Sequence, residues 1–408
     1  ACLPVRGPHD QHRSPPHASN GTDHPSILSG GHPTLESIFD PEEGIHPQKQ
    51  SSGIFNKASM SSSLEQPIRE AAWKLGFGAC QFTHAGQPDR FSAYQKWIQD
   101  GMHGEMSYLD RHQEKKGDLQ KVLPGMKSII SLATSYLPPE SSAPHPETFT
   151  GKVARYARFE DYHHVLEAPL KALCKELETL GGKGHTHLYY VDTGPIMERD
   201  LAQRAGLGFT GKHTNLISRK LGNWFFISEI LTTLKLIPDK PEPNRCGHCA
   251  RCLEACPTEA ITEPFKLDAR RCISYWTIEY KGSIPMEMRP LIGDRVFGCD
   301  DCLEVCPWNR FAKESERMKP VYLERLHQPD LLEWLELDDE GFKQKFRGTP
   351  MIRTKRRGLL RNVCVALGNT ANAQALPALE KARQDPNGLI AEHARWAIDQ
   401  IKKRLNSR

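Results

Sequence analysis

The spacing of apolar residues predicts alternating helices and strands between residues 60 and 240. Helical spacing occurs in four segments, at residues 64–75, 91–100, 161–180 and 195–205. Pro169 should kink or restart the third helix, whereas Pro195 and Gly206 should mark the two ends of the fourth. Runs rich in apolar and β-branched residues predict strands at 78–82, 128–135, 187–191 and 225–231. Because helices and strands alternate, we expect an α/β domain over residues 60–240.

The pattern changes on both sides of this segment. Residues 241–312 are rich in cysteine and predict only short helices, at 268–275 and 286–291. Residues 313–408 become wholly helical, and the amphipathic segments 359–367, 375–382 and 390–405 resemble one HEAT-like unit. Residues 1–59 are rich in His, Pro, Ser and Gly without apolar periodicity, so we expect a disordered N-terminal extension.

Charge is distributed unevenly along the chain. The net charge of +4 combines a basic C-terminal region with an acidic remainder, because residues 341–408 hold 15 Lys or Arg against 4 Asp or Glu. A basic domain favours a polyanionic partner, and nucleic acid is the commonest one. A solvated basic surface without a partner is the alternative.

Eight cysteines between residues 246 and 306 form two ferredoxin-like runs. The first run contains Cys246, Cys249, Cys252 and Cys256, followed by Pro257, and the second contains Cys299, Cys302 and Cys306, followed by Pro307; Cys272 lies between them. In such runs three thiolates bind one [4Fe–4S] cube and the fourth binds another. This predicts two cubes, one held by Cys246, Cys249, Cys252 and Cys306, the other by Cys256, Cys272, Cys299 and Cys302. Zinc binding is less consistent with a triple that ends in Cys-Pro, and a disulfide framework is the other alternative.

Two clusters indicate an electron path, so an electron donor and an acceptor are both required. Thiols that bind clusters must remain reduced until iron arrives, which favours a cytoplasmic protein. No apolar run reaches 18 residues and the N-terminus lacks the apolar segment of a signal peptide, so no membrane association is expected.

A carboxylate and several glycines follow the predicted strand 187–191. Asp192 lies where this strand ends and the next helix begins, a usual ligand position in α/β sheets. A carboxyl buried beside a cofactor could donate a proton. Alternatively, Asp192 only closes the turn before Pro195.

A second dense stretch, residues 153–163, contains two arginines, three aromatic residues and a histidine. This mixture suits a large ligand with amide and phosphate groups. The alternative is a capped helix start, with Arg155 and Arg158 paired to Glu160 and Asp161.

Taken together, the cysteine runs, the Val-Asp-x-x-Pro…Glu-Arg turn, the Ala-Arg-Tyr-Ala-Arg…Asp-Tyr-His stretch and the segment 361–369 resemble epoxyqueuosine reductases over residues 60–405. The resemblance implies an enzyme that reduces epoxyqueuosine at the tRNA anticodon wobble position, with cobalamin and two [4Fe–4S] clusters. We expect the protein to be a monomer. It implies a cobalamin-binding domain at 60–240, a two-cluster domain at 241–312 and a tRNA-binding HEAT-like domain at 313–408.

The resemblance also implies roles for single residues. Asp192 matches the proton donor. The implied cobalamin contacts are Arg155, Asp192, Met197, Glu198, Arg199, Ser274, Lys281, Gly282 and Ser283. Basic residues near 353–361 should meet tRNA phosphates, namely Arg353, Lys355, Arg356, Arg357 and Arg361.

Two other functions fit parts of the sequence. A corrin-dependent reductive dehalogenase would use the same cofactors, although the basic helical region would then have no purpose. A ferredoxin-type electron carrier would need only the cysteines.

Overall fold

The computed structural model describes residues 63–139 and 149–407. The prediction of disorder for residues 1–59 lies outside these ranges. Residues from Ser63 onward fall into one compact unit. The three-domain division at residues 240 and 312 therefore stays a prediction.

A four-stranded sheet organises residues 63–240. The strands of this part are β1 Ala79–His84, β2 Ser128–Ser135, β3 Lys152–Val153, β4 His187–Tyr190, β5 Phe209–Thr210, β6 Leu216–Ile217 and β7 Phe225–Thr232. The sheet order is β1-β2-β7-β4, with β2 and β7 in the centre. All eight residues of β2 are buried, which explains why this apolar run predicted a strand so clearly.

The pairing of this sheet corrects the α/β expectation. β1 with β2, β2 with β7, and β7 with β4 are all antiparallel, whereas strands connected through helices usually form parallel sheets. The periodicity identified the strands but contained no information about their direction.

Six α-helices accompany the strands among the described residues before 240. They are α1 Glu65–Lys74, α2 Phe91–Gln99, α3 Ser107–Asp110, α4 Gln113–Gly117, α5 Tyr162–Gly181 and α6 Glu198–Arg204. Asp161 caps α5 by accepting the backbone N–H of His163, and α5 continues past Pro169 without a restart. Helix α6 begins three residues later than predicted, so Pro195 is not its first residue. Gly206 follows its end with a φ of 80°, a conformation that glycine adopts without strain.

The cysteine-rich region consists of short elements. They are α7 Arg251–Glu254, α8 Arg289–Ile292, α9 Asp301–Glu304, the hairpin β8 Ile261–Glu263 and β9 Lys266–Leu267, and β10 Arg295–Phe297, which pairs with β3. A 3-10 turn at Ala269–Arg271 and a π-helix at Tyr275–Glu279 follow the hairpin. Helices α7 and α9, one from each cysteine run, pack against each other.

The C-terminal region is helical, as predicted. Its helices are α10 Leu331–Leu335, α11 Asp339–Phe346, α12 Lys355–Thr370, α13 Leu376–Ala382 and α14 Gly388–Asn406. Helix α12 packs on α14, α10, α8 and β10, and its residues 358–368 are buried. It therefore lies between the helical region and the cysteine-rich region.

Candidate functional site

Four cysteines lie close together at the first cysteine run. Cys246 and Cys306 pack with Phe209, Ile217 and Trp308 in one small apolar cluster. Burial raises the pKa of the Cys252 thiol to about 11, and the neighbouring thiols of Cys246, Cys306 and Cys249 contribute. The four thiols are therefore neighbours in the fold.

The other four cysteines contact the main hydrophobic core instead. Cys272 is part of that core, and Cys256, Cys299 and Cys302 pack against it. Burial raises the pKa of Cys299 well above its ordinary value, with Asp301 and Cys272 adding to the effect. The Cys256 sulfur accepts the backbone N–H of Ala260 at 3.2 Å. This grouping agrees with the expected exchange of Cys256 and Cys306 between the two runs, and ligation itself stays a prediction.

The donor set suits iron–sulfur cubes. All eight cysteines are free thiols, without a disulfide among them. Within residues 63–139 and 149–407, no three His, Cys, Asp or Glu side chains are arranged to hold a single metal ion. A single ion draws its ligands to about 2.0–2.3 Å, whereas each thiolate of a cube binds its own iron.

Asp192 lies on a constrained loop between β4 and α6. Its φ is 61°, a left-handed conformation that costs free energy for a residue other than glycine. The hydroxyl of Tyr162 donates to its Oδ2 at 2.6 Å, and Nε2 of His163 lies 3.9 Å from the same oxygen. With 23% of its side chain exposed, Asp192 can reach a ligand. The geometry therefore supports more than a turn-closing role.

Glu198 is the first residue of α6 and is directly connected to this loop. Burial raises the pKa of Glu198 to about 8, and the Asp192 carboxylate adds to the rise, while Lys116 and Arg199 oppose it. The Oε1 atom is buried without a hydrogen-bond partner among the described residues. Glu198 thus holds its proton near neutral pH.

Other residues near this loop that were predicted to contact cobalamin also form contacts within the protein. Arg199 donates from Nη1 to the Thr214 carbonyl at 2.9 Å, and Met197 precedes the first turn of α6. Arg155 forms an ion pair with Glu304 at 3.2 Å, and its guanidinium stacks 4.5 Å from the Trp224 ring. The alternative pairing of Arg155 with Glu160 or Asp161 does not occur.

Three buried polar atoms without partners would suit a polar ligand. They are Nε of Arg155, Oγ of Ser274 and Nε1 of Trp276, none of which has a hydrogen bond within the described residues. Such atoms are costly unless something satisfies them. Arg155 and Ser274 were both predicted to contact cobalamin, so the residues present fit that cofactor.

Lys281, Gly282 and Ser283 lie against the C-terminal helices. The Gly282 carbonyl accepts from Arg361 at 2.8 Å, and the Ser283 hydroxyl donates to Glu392 of α14 at 2.7 Å. Lys281 donates to the Ile278 carbonyl. Ser283 is therefore occupied within the protein, and its role as a cobalamin contact stays a prediction.

The five basic residues expected to meet phosphates separate into three groups. Lys355 and Arg357 are exposed. Arg353 forms an ion pair with Asp161 at 2.7 Å, and Arg356 forms one with Asp385, which leaves both partly exposed. The prediction for Arg361 is wrong, because its side chain is 1% exposed and inside the protein. Its guanidinium donates to the carbonyls of Trp276, Tyr280 and Gly282 at 2.6, 2.9 and 2.8 Å.

Comparisons with known proteins agree along most of the chain. A family profile described as a 4Fe-4S double cluster binding domain matches residues 245–309, and one described as epoxyqueuosine reductase QueG, DUF1730, matches residues 116–193. An epoxyqueuosine reductase of Salmonella typhimurium is 39% identical over 86% of this chain and 92% of its own length. This chain belongs to the epoxyqueuosine reductase family.

Relatives and solved structures of the family extend this agreement. The epoxyqueuosine reductase of Escherichia coli is 37% identical over 85% of this chain and 92% of its own length. A crystal structure of epoxyqueuosine reductase with an epoxyqueuosine-modified tRNA-Tyr stem loop has a TM-score of 0.75 at 32% identity, covering 83% of this chain and 90% of that one. The Bacillus subtilis epoxyqueuosine reductase, with its catalytic aspartate loop swung out of the active site, has a TM-score of 0.76 at 31% identity, with the same coverage.

Several residues around the site of this epoxyqueuosine reductase homologue could not be predicted from its sequence. Tyr162 and His163 belong to the dense stretch 153–163, but nothing in the sequence shows that they face Asp192. Lys116 on α4 acts to lower the pKa of Glu198, and Glu198 in turn adds to the raised pKa of the fully buried Glu229 on β7. A glutamate within an otherwise apolar strand was the one available signal for Glu229.

No helix within residues 63–139 and 149–407 combines the length and apolar character needed to span a bilayer.

Proposed function

We propose that this chain reduces epoxyqueuosine to queuosine at the wobble position of a tRNA anticodon. The observation that carries this proposal is a set of eight cysteines that suits two clusters, together with the partly exposed Asp192, in a chain that matches epoxyqueuosine reductases over most of its length. Opening an epoxide to an alkene consumes two electrons and two protons and releases water. The protein must therefore supply both electrons and an acid.

The two groups of thiols would deliver the electrons. Cys246, Cys249, Cys252 and Cys306 would hold one [4Fe–4S] cube, and Cys256, Cys272, Cys299 and Cys302 the other. An N–H donated to a ligand sulfur, as Ala260 donates to Cys256, raises a cluster's reduction potential. An external donor would supply single electrons. A groove of about 700 Å³ beside Cys306, lined by Arg251 and Arg310, offers one approach to the first cube.

Cobalamin would provide the strongly reducing centre that acts on the substrate carbon. Arg155 and Ser274, with their unsatisfied polar atoms, would hold it together with Met197 and Arg199. Lys281, Gly282 and Ser283 would be further contacts of the cofactor.

Asp192 would protonate the substrate oxygen as the carbon–oxygen bond opens. Its partly exposed carboxyl group is held by Tyr162, and a positioned acid typically contributes about 10²–10⁴-fold in rate. Lys355 and Arg357 would bind tRNA phosphates, and the modified base would leave the stacked loop to enter the site. We propose that the monomer acts in this way in the cytoplasm.

The decisive experiment uses reconstituted protein, cobalamin, a chemical reductant and an epoxyqueuosine-containing anticodon stem loop. Wild type should form queuosine, and Asp192→Asn should retain its iron and cobalamin yet lose turnover. The absence of product with fully loaded wild type would reject the proposal. Undiminished turnover in Asp192→Asn would remove this residue from the mechanism.

A further inference from the structure

We propose that Arg353 is a positioning residue of Asp192 and acts on it through Asp161 and His163. The sequence resemblance implied instead that Arg353 meets tRNA phosphates. This inference rests on the proposed role of Asp192 as the proton donor, and it names a residue of the helical region on which the placement of that donor depends.

An ion pair joins Arg353 to the start of α5. Arg353 lies in the 3-10 turn Pro350–Thr354, directly before α12, and its Nη2 donates to Oδ2 of Asp161 at 2.7 Å. The exposed fractions of the two side chains are 20% and 8%, so solvent screens this pair less than a pair on the surface. The helical region is therefore tied to the residue that caps α5.

Asp161 in turn fixes the ring of His163. Its Oδ1 accepts from the His163 backbone N–H at 3.2 Å and lies 2.8 Å from Nδ1 of the ring. Although burial acts to raise the pKa of Asp161, the His163 hydrogen bond and the Arg353 charge lower it to about 2, so the carboxylate is charged at neutral pH. Because a carboxylate can only accept, Nδ1 keeps its hydrogen and donates to Asp161. Nη2 of Arg353 lies 3.0 Å from the same ring nitrogen, so the three side chains form one packed group.

Two side chains of this first turn of α5 face Asp192. Nε2 of His163 lies 3.9 Å from Oδ2 of Asp192, and the Tyr162 hydroxyl donates to that same oxygen at 2.6 Å. The Tyr162 ring stacks on Phe226 of β7 with ring centres 4.3 Å apart, and its centre is 4.2 Å from that of the His163 ring. A shift of this turn would therefore move the groups that hold the Asp192 carboxyl.

Asp192 needs such contacts to keep its position. Its φ of 61° is a left-handed conformation, which persists in a residue other than glycine when the surrounding structure holds it. Removing the Arg353 guanidinium would release Asp161 and allow the first turn of α5 to adjust. The strained loop would then relax, and the acid would no longer face the substrate oxygen.

Two buried nitrogens indicate that this group belongs to the site and not to the packing alone. Nη1 of Arg353 and Nε2 of His163 have no hydrogen-bond partner within residues 63–139 and 149–407. Polar groups that only support a fold normally have their hydrogen bonds satisfied within the protein. Nitrogens left open in this way are expected in a site that water or substrate completes.

The separate effects on kcat and KM distinguish positioning from RNA binding in the loaded enzyme. Arg353→Met should lower kcat by about tenfold to a hundredfold, because a small misplacement of a reacting group is costly, and leave KM for the stem loop unchanged. Arg353→Lys keeps a cation and should recover part of kcat. Asp161→Asn should share the defect, and the double variant Arg353→Met with Asp161→Asn should lose no more than the larger single loss.

Hydrogen exchange in the loaded enzyme, without RNA, measures the loop independently of turnover. Amides of residues 191–194 should exchange faster in Arg353→Met than in wild type. Arg69→Met is the matched control, because Arg69 also forms a partly buried ion pair with an aspartate, Asp239, at 2.6 Å. This pair joins α1 to the segment after β7, so its loss should lower stability yet leave exchange at residues 191–194 as in wild type.

Either measurement can overturn the proposal. A higher KM with wild-type kcat in Arg353→Met would show that Arg353 contacts RNA. Unchanged exchange at residues 191–194 in Arg353→Met, or an equal acceleration in Arg69→Met, would show that Arg353 does not position Asp192. If Arg353→Met does not fold, Arg353→Lys and Asp161→Asn provide the same two comparisons.

The exchange result also separates this inference from the proposed function. If exchange at residues 191–194 rises in Arg353→Met but loaded wild type reduces no epoxyqueuosine, the proposed function fails while the placement of Asp192 by Arg353 stands. If wild type reduces epoxyqueuosine and that exchange is unchanged, the inference fails alone.

Discussion

The buried guanidinium of Arg361 gives the sharpest test of how the C-terminal helices support the site. It lies on α12 and donates hydrogen bonds to three backbone carbonyls, those of Trp276, Tyr280 and Gly282. Trp276 belongs to the π-helix that follows Cys272 and Ser274. Replacing Arg361 by Ala should therefore loosen the segment that carries a proposed cluster ligand.

The expected loss of stability follows from the number of groups left without partners. Leaving a buried hydrogen-bonding group without its partner costs about 1–3 kcal/mol, and three carbonyl groups would lose theirs. The burial that lowers the pKa of Arg361 to about 10 also shows that keeping the charge inside has a cost, so we expect about 3 kcal/mol rather than the upper limit. That is a large part of the roughly 5–15 kcal/mol that stabilises a typical domain.

Urea unfolding of the purified chain, together with iron content, measures this effect. Arg357→Ala on the same helix is the matched control, because its exposed side chain should change the unfolding free energy by no more than about 0.5 kcal/mol. Arg361→Ala should unfold at lower urea and lose iron. If Arg361→Ala instead keeps its stability and iron while binding tRNA more weakly, Arg361 is a surface contact and the reasoning is wrong.

Three further predictions address the clusters, the RNA and pH. Cys306→Ser should weaken the cluster shared with Cys246, whereas Cys256→Ser should weaken the other cluster. Identical electron paramagnetic resonance changes in both variants would contradict the exchange of Cys256 and Cys306 between the two runs. Charge reversal of Lys355 and Arg357 together should reduce tRNA affinity and make that affinity less dependent on salt. An unchanged slope of log affinity against log salt concentration would show that these residues do not contact phosphates. Burial lowers the pKa of His393 to about 4, below its ordinary 6.5, so its contribution to stability is lost as pH falls from about 6.5 towards 4. His393→Gln should therefore reduce the change of the unfolding midpoint with pH in that window. An unchanged pH profile would exclude this histidine as the cause.

The elements of the fold were largely readable from the sequence, but their pairing was not. Strand β2 was predicted at its observed limits because all eight residues are buried and apolar or small. Its two neighbours, β1 and β7, are separated by about 140 residues along the chain and run antiparallel to it. Side-chain periodicity reports which face of a strand is buried, whereas direction depends on connections that the sequence pattern does not encode.

The same limit explains the outcome for the site residues. The spacing of the cysteines is itself typical of iron–sulfur ligands, so the two groups of cysteines could be predicted from the sequence alone. The neighbours of Asp192 could not be found in this way, because Tyr162 and Lys116 come from helices separated from it by 30 and 76 positions.

The basic residues near the start of α12 show why charge composition alone could not define an RNA surface. Arg353 holds Asp161 at 2.7 Å, and Asp161 holds Nδ1 of His163 at 2.8 Å, whose other ring nitrogen faces Asp192. Burial would raise the pKa of Asp161, but the His163 hydrogen bond and Arg353 outweigh it and lower the pKa to about 2, so this carboxylate stays charged. Arg353 therefore connects the helical region to the loop of Asp192, and Lys355 and Arg357 remain the proposed phosphate contacts. In the proposed RNA surface, some basic residues form contacts within the protein and others would contact phosphate, which net charge cannot distinguish.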